Sequence, residues 1–331
     1  MRGDGGLHDR YGRAVSYLRV SVTDRCNLRC FYCLPREHAG CSRLEPLRLE
    51  EIAEIIRVGV ALGIRKVRIT GGEPLVRPGV VDLVRTLSGQ PGITDLALST
   101  NGTLLADHAR ALKAAGLRRV NISLDSLQPT VFRAISGRDD LDRVLAGIAA
   151  ACDAGLRPIK LNVVVMRDVN DGELPAMLDF GAAIGAQVRF IEYMPLGRGQ
   201  RWKQSFVSRV EILARVRSHL ALRPPRRAPG DTATYYALAV GGEVGVISPV
   251  SCRFCDRCNR LRVTADGRLR PCLTSEGEVD VRPALRPVAS LPAIAECFRA
   301  ATAGRPAHGT YDADGGGAAR GAARPMAAIG G

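Results

Sequence analysis

Residues 66–102 read KVRITGGEPLVRPGVVDLVRTLSGQPGITDLALSTNG, and this stretch sets the architecture. Residues 66–70 form a strand-like run that stops at Gly71-Gly72. Residues 80–87 carry helical spacing, and residues 95–100 form another strand-like run ended by Asn101-Gly102. The same order repeats on both sides. Strands are expected at 16–22, 119–124, 159–165 and 187–192, and helices at 49–62, 105–115, 141–154 and 174–184. In 49–62, for example, Leu49, Ile52, Ile55, Ile56 and Val60 share one helical face. About six βα units in series predict a parallel sheet with right-handed crossovers and helices on its outer face. Eight units would close a barrel, so the expected fold is α/β, a partial (β/α)6 barrel of the TIM type. A doubly wound open sheet is the competing architecture. Either one places a ligand site at the carboxyl ends of the strands. The unusual residues fall there: Gly71 to Pro74, Ser99 to Gly102, Ser123 and Asp125.

Beyond residue 192 the pattern changes. Residues 193–231 read as a connection with one helix, 209–220, and a Pro/Arg-rich linker, 223–230. Two hairpins follow: 233–240 with 244–247 through Gly241-Gly242, and 260–264 with 268–270 through Asp266-Gly267. Residues 305–331 are rich in Gly and Ala and almost lack large apolar side chains, which predicts a flexible tail.

The chain carries 47 Lys and Arg against 33 Asp and Glu, a net charge of +14. That surplus suits nucleic acid or a small, highly anionic substrate. Arg2, Asp4, His8, Asp9, Arg10 and Arg13 interrupt any signal-like apolar run, and no apolar stretch approaches a membrane span. The expected location is the cytoplasm, where clustered cysteines bind metal or do chemistry more often than they form disulfides.

Seven of the ten cysteines fall in two groups. Cys26-x3-Cys30-x2-Cys33 supplies three thiolates from one loop. Three thiolates suit a four-iron cubane with one iron left for a small molecule, because a closed cluster takes four. A zinc site would need a fourth ligand, for which His38 and Cys41 are the candidates. Near the other end stand Cys255-x2-Cys258 and Cys272, with Cys252 one C-x2-C step ahead. If Cys252 bound the fourth iron, that cluster would be closed. Cys152 and Cys297 lie in helical apolar patterns and read as packing residues.

The first motif, with Tyr32 before its last cysteine and Gly71-Gly72-Glu73-Pro74 after the second strand, resembles the radical S-adenosylmethionine superfamily. There the open iron chelates S-adenosylmethionine, one electron releases a 5′-deoxyadenosyl radical, and the glycines let backbone approach the methionine amino group. The run from Phe254 to Arg262 with Cys272, the run from Leu18 to Cys26, Arg68 to Pro74, Phe190 to Met194 and the ending Ile329-Gly330-Gly331 together resemble the GTP 3′,8-cyclases, lyases that open molybdenum cofactor biosynthesis. The resemblance runs from about Tyr11 to Glu276 and returns at the last residues.

It implies two [4Fe-4S] clusters, held by Cys26, Cys30 and Cys33 and by Cys255, Cys258 and Cys272, the second with its open iron on guanine. Tyr32, Gly72, Ser123 and Met194 match positions that contact S-adenosylmethionine. Arg19, Lys66, Arg68, Ser99, Lys160, Arg189, Arg260 and Arg262 match positions around GTP. Arg19, Arg260, Arg262, Gly330 and Gly331 match catalytic positions. The implied reaction removes hydrogen from C3′ of the ribose and joins that carbon to C8, giving 3′,8-cyclo-7,8-dihydro-GTP. The implied partners are a flavodoxin or ferredoxin as electron donor and a downstream cyclic pyranopterin monophosphate synthase. A homodimer is admitted, and neither nucleic acid nor membrane is implied. The expected division is an N-terminal segment 1–15, a barrel 16–192, a cluster- and substrate-binding region 193–304 and the tail 305–331. A peptide-modifying radical enzyme and a zinc-ribbon nucleic-acid-binding protein are the rivals. The first lacks its longer cysteine array, and the second leaves the βα series unexplained.

Overall fold

Polar residues at most alternate positions, with Ala97, Val164 and Ile191 as the exceptions, shape the sheet in this chain. The computed structural model describes residues 6–33, 45–196, 202–228, 230–239, 241–309, 324 and 326–330. In β1 (Tyr17–Ser21) Leu18 and Val20 are fully buried on one face, while Tyr17 and Arg19 take the other. The same alternation runs through β2 (Lys66–Thr70), β3 (Asp95–Thr100), β4 (Arg119–Ser123), β5 (Lys160–Val165) and β6 (Gln187–Glu192). Val67, Ile69, Leu96, Leu98, Val120 and Ile122 form the apolar face and are buried. Successive side chains of a strand point to opposite faces, so one surface of the sheet is greasy and the other charged.

The greasy face takes the helices α1 (Leu49–Ala61), α2 (Val80–Ser88), α3 (Leu105–Ala114), α4 (Pro129–Ser136), α5 (Leu141–Asp153) and α6 (Leu174–Ile184). The sequence pattern did not single out α4. Where α5 crosses the loop after β3, a Cβ on Gly147 would stand 2.2 Å from the Gly102 carbonyl oxygen, so only glycine permits this approach. β1 to β6 lie side by side in chain order, all parallel. Six βα units curl the sheet around its charged face without closing it.

The rest of the chain widens both edges. After α7 (Arg209–His219) come β7 (Leu222–Arg226), β8 (Ala233–Leu238) and β9 (Glu243–Ile247). β9 joins β6 in parallel and carries β8 and β7 outward as antiparallel strands. At the other edge β10 (Arg260–Val263) pairs in parallel with β1, followed by β11 (Arg268–Arg270) and β12 (Val279–Asp280). Among the described residues this is one open sheet of 12 strands. The expected α/β partial barrel with a hairpin-bearing extension is what forms.

Two expectations need correction. The Pro/Arg-rich linker at 223–230 is in large part strand β7. It is the outermost strand, paired on one side only, which is where a sheet tolerates proline. The tail expected to be flexible from 305 is packed at both ends where it is described. Arg305 is 1% exposed, because its guanidinium has buried acceptors, and Ala327 and Ile329 are buried in a helical turn, Met326–Ile329. A helix α8 (Leu291–Ala303) precedes it and packs on α1. Cys152 and Cys297 both lie in helices against the core, as packing residues would.

One carboxylate ties the two halves. Glu192, at the end of β6, has no exposed surface and accepts the backbone N–H groups of Val250 (2.9 Å), Ser251 (2.9 Å) and Arg209 (2.8 Å). Glu192→Ala removes the acceptor of three backbone donors, with Val250 N–H buried among them, and is expected to destabilise the protein by about 2 kcal/mol, read from the urea midpoint.

Candidate active site

The charged face of the sheet lines a cavity of about 590 Å³. Arg19, Lys66, Arg68, Ser99, Lys160, Arg189, Arg260 and Arg262 all face it, as do Tyr32, Gly72, Ser123 and Met194. So do Cys26, Cys30 and Cys33 and, from the extension, Cys255, Cys258 and Cys272. Gly330 is reached differently: its carbonyl accepts from Arg262 Nη1 at 2.5 Å, while Met326 lines the cavity itself. Gly331, His38 and Cys41 lie outside the described residues.

Register decides the electrostatics. Arg262 of β10 is the pairing partner of Arg19 of β1, and Arg19 is the partner of Arg68 of β2. Three guanidiniums therefore stand in one row across three neighbouring strands. Like charges directly opposite on a sheet repel. Burial, then Arg262, drives the pKa of Arg19 well below the usual arginine value. Burial, then Arg260, lowers that of Arg262 to about 10. Arg189 is also held at about 10, chiefly by burial. The Nε atoms of Arg68 and Arg189 are buried with no hydrogen-bond acceptor. A surplus of buried cationic donors is a site built for a polyanion.

The row has a second tier. Tyr17 pairs in register with Arg260 on one side and Lys66 on the other. The guanidiniums of Arg260 and Arg68 lie 5.5 and 5.9 Å from its ring centre. Lys160 Nζ donates to Tyr235 Oη at 3.1 Å. Arg119 is taken out of the surplus by Asp95, with Nε to Oδ1 at 2.8 Å. Tyr17, Lys66, Asp95, Arg119 and Lys160 all sit at the amino ends of their strands. The cavity thus runs the length of the barrel and is not confined to the carboxyl ends, where the fold rule placed it. Tyr17, Tyr235, Asp95 and Arg119 were missed in the sequence. Following the inward parity of each strand from Arg19 and Arg68 would have found all but Tyr235.

At the carboxyl ends stands the first cysteine triad. Its loop is held by backbone bonds from Arg29 to Ser136 (2.8 Å) and from Phe31 to Ile135 (3.1 Å), so α4 is its support. Gly72 N–H donates to the Thr23 carbonyl at 2.7 Å, and a Cβ on Gly72 would lie 2.3 Å from the Arg25 oxygen. The glycines let β2 approach the cysteine loop itself, a packing role beside the ligand role expected of them. Buried Glu73 caps this turn by accepting from Asn101 N–H (2.6 Å), Thr100 Oγ1 (2.8 Å) and Leu75 N–H (3.0 Å). Tyr32 Oη donates to Asp125 Oδ2 at 2.6 Å, and Asp125 also accepts from Val164 N–H at 2.8 Å. Tyr193 packs edge-on to Tyr32, beside Met194.

The two triads fit metal. Burial, then Cys26, pushes the Cys33 thiol up to about 12, and Cys30 is raised by burial, Asp125 and its two sister cysteines. Three crowded thiols that resist ionisation alone are what a cation stabilises as thiolates. Among the described residues no three such groups converge tightly enough for one ion. A cluster does not demand that, since each cysteine takes a separate iron. Burial works to raise Cys258, but the guanidiniums of Arg260 and Arg305 outweigh it and hold the thiol below its usual value. Cys252 is not among the lining residues; its sulfur is approached by Arg209 Nη1 at 3.6 Å.

Residues 20–181 match the Radical SAM superfamily, and residues 186–311 match the family described as Molybdenum Cofactor Synthesis C. A GTP 3′,8-cyclase of Alkaliphilus oremlandii is 47% identical over 284 residues, 85% of this chain and 88% of that protein. GTP 3′,8-cyclase 1 of Pseudomonas aeruginosa is 48% identical over 281 residues, 84% of this chain and 85% of its own. Among solved structures, Streptococcus suis SuiB matches with a TM-score of 0.58 at 13% identity, over 88% of this chain and 67% of that one. SuiB bound to S-adenosylmethionine matches with a TM-score of 0.56 at 13% identity, over 82% and 63%. At that identity the likeness establishes the fold alone.

Burial works to raise the Tyr17 hydroxyl, but Arg68, Arg19, Arg260 and Arg119 outweigh it and hold the pKa at about 8. A depressed acid contributes stability that grows as pH rises from about 8 toward the ordinary tyrosine value near 10. Relative to Tyr17→Phe, the protein is expected to gain stability across that window. A tyrosinate absorbance near pH 8 should be present in the parent and absent in the variant. Inorganic tripolyphosphate, by neutralising the guanidiniums, should move that titration upward.

Proposed function

We propose a division of labour among the residues of this site on one premise: the chain belongs to the GTP 3′,8-cyclases of the radical S-adenosylmethionine superfamily. Its activity is the conversion of GTP to 3′,8-cyclo-7,8-dihydro-GTP in molybdenum cofactor biosynthesis. The observation that carries the residue assignments is the in-register row Arg262, Arg19 and Arg68 sharing one cavity with two cysteine triads. When bound, two [4Fe-4S] clusters and S-adenosylmethionine supply the radical chemistry, and the protein supplies position.

Cys26, Cys30 and Cys33 would hold the first cluster, with Tyr32, Gly72, Ser123 and Met194 around S-adenosylmethionine. Cys255, Cys258 and Cys272 would hold the second, beside the guanine base. The triphosphate lies along the arginine row and on Lys66, Lys160 and Arg189 toward the amino ends of the strands. Ser99, within 3.4 Å of Arg68 Nη1, orients that guanidinium. A triphosphate brings the negative charge that offsets the repulsion within the row. Arg260 and Arg262 lie on β10, just after Cys258, and Arg262 belongs to the row, so this strand holds the base and phosphate ends of GTP in one pose. The pose fixes which ribose carbon faces the first triad, the entropic part of the catalysis. Gly330, bonded to Arg262, brings the end of the chain against this arginine, and Gly331 follows it. Cys252, off the cavity, stays outside the cluster.

The family reading supports a flavodoxin or ferredoxin as electron donor and a cyclic pyranopterin monophosphate synthase downstream. Among the described residues no helix is long and apolar enough to cross a membrane. We place the enzyme in the cytoplasm, where thiols stay reduced.

Anaerobic turnover with S-adenosylmethionine, a reductant and GTP tests the assignment. 5′-Deoxyadenosine should form in step with the cyclised nucleotide, and formation indifferent to GTP would sink it. Arg189→Ala should raise KM for GTP roughly 10- to 100-fold, the loss of a charged hydrogen bond, while slow cleavage of S-adenosylmethionine without GTP stays unchanged.

A further inference from the structure

The loop carrying Cys255 and Cys258 has little structure of its own. Among the described residues it holds a single 3-10 turn, Cys255–Arg257, before β10 begins. Two arginines sharing one carboxylate grip its backbone. The Asp9 side chain is completely buried. Its Oδ1 accepts the N–H groups of Tyr11 and Arg13, both at 3.0 Å. Its Oδ2 accepts Arg13 Nε at 2.7 Å and Arg305 Nη1 at 2.8 Å. The far ends of the two guanidiniums reach the cysteine loop. Arg13 Nη1 donates to the Cys255 carbonyl at 2.7 Å, and Arg305 Nη2 donates to the Cys258 carbonyl. Arg13 also donates to the carbonyls of Pro306 (2.6 Å) and Ala307 (3.0 Å). That draws in the segment whose Gly309 N–H donates to Cys255 Sγ at 3.4 Å.

We propose that Asp9, Arg13 and Arg305 are positioning residues for the second cysteine triad, a clamp that sets the backbone of Cys255 and Cys258 from both ends of the chain. The proposal rests on the reading that this triad holds the second cluster. None of the three lines the cavity, so they act through the cysteines and not on the substrate. A planar guanidinium donates along fixed directions, which lets each arginine fix a carbonyl and a carboxylate at once. The first triad does not share this support, since its loop is held by Ser136 and Ile135 at the end of α4. Breaking the clamp therefore separates the two sites.

The test uses the full chain, reconstituted anaerobically, as parent, Asp9→Asn and Arg13→Lys. Asp9→Asn keeps the shape and removes the shared charge. Arg13→Lys keeps the charge and removes the fork. The parent should carry about eight irons, the sum of two cubanes. In both variants second-cluster iron should be lost to a chelator about 10- to 100-fold faster, the usual effect of removing support behind metal ligands. The first cluster's electron paramagnetic resonance signal, and its change on adding S-adenosylmethionine, should be as in the parent. Iron at both sites held as in the parent would overturn the clamp. So would parallel loss of both clusters, the mark of a general loss of fold. If Asp9→Asn does not fold, Arg13→Lys alone decides by the same two outcomes. A parent with the first cluster only would overturn the cluster reading, and the clamp with it.

Discussion

Three arginines in register on neighbouring strands, Arg262, Arg19 and Arg68, are the constraint around which this molecule is arranged. Charged side chains of one sign, buried side by side, oppose folding. The chain meets part of that cost with the Tyr17 ring against Arg68 and the neighbouring Arg260, and with the Gly330 carbonyl on Arg262. Neither neutralises charge as an anion would. The inward face of the barrel therefore carries a surplus of positive charge suited to a polyanion.

The same constraint explains why the barrel stays open. A closed barrel of this kind is filled by layers of branched apolar side chains. Here the inward positions carry Tyr17, Arg19, Lys66, Arg68, Arg119, Lys160 and Arg189, which could not pack as a core. Six parallel strands leave a trough, and the extension lays β10 along one edge and β9 along the other. β10 supplies Arg260 and Arg262 and follows directly on Cys258. Adding that one strand both completes the arginine row and brings Cys255 and Cys258 to the cavity, and β11 beside it brings Cys272.

The two triads are supported by opposite means. The first depends on local chain: a cysteine loop pressed against the Gly71-Gly72 turn, with α4 behind it. The second depends on remote chain, since Asp9 and Arg13 come from the beginning and Arg305 to Gly309 from beyond α8. A loop with one turn of its own cannot hold the sulfurs of Cys255 and Cys258 in fixed positions. Buried charge pairs are well suited to such a task because their directions are specific even where their net contribution to stability is small.

The sequence alone determined the order of the βα units, the two cysteine triads and every basic residue lining the cavity except Arg119. Strand and helix periods are set by neighbours a few residues apart, and thiolate spacing within a loop is equally local. Among these the inward face of each strand was also legible, although Tyr17, Asp95 and Arg119 were not read from it. Tertiary structure decided the rest. It turned a Pro/Arg-rich stretch into edge strand β7, carried the cavity down to the amino ends of the strands and buried Arg305. It also placed Arg262 beside Arg19, and Cys252 away from the cavity that its sister cysteines share. These depend on register between segments far apart in the chain, where a shift of one residue would turn every inward arginine outward. No local pattern encodes that choice; it is made when the apolar faces of all the strands find the helix layer together.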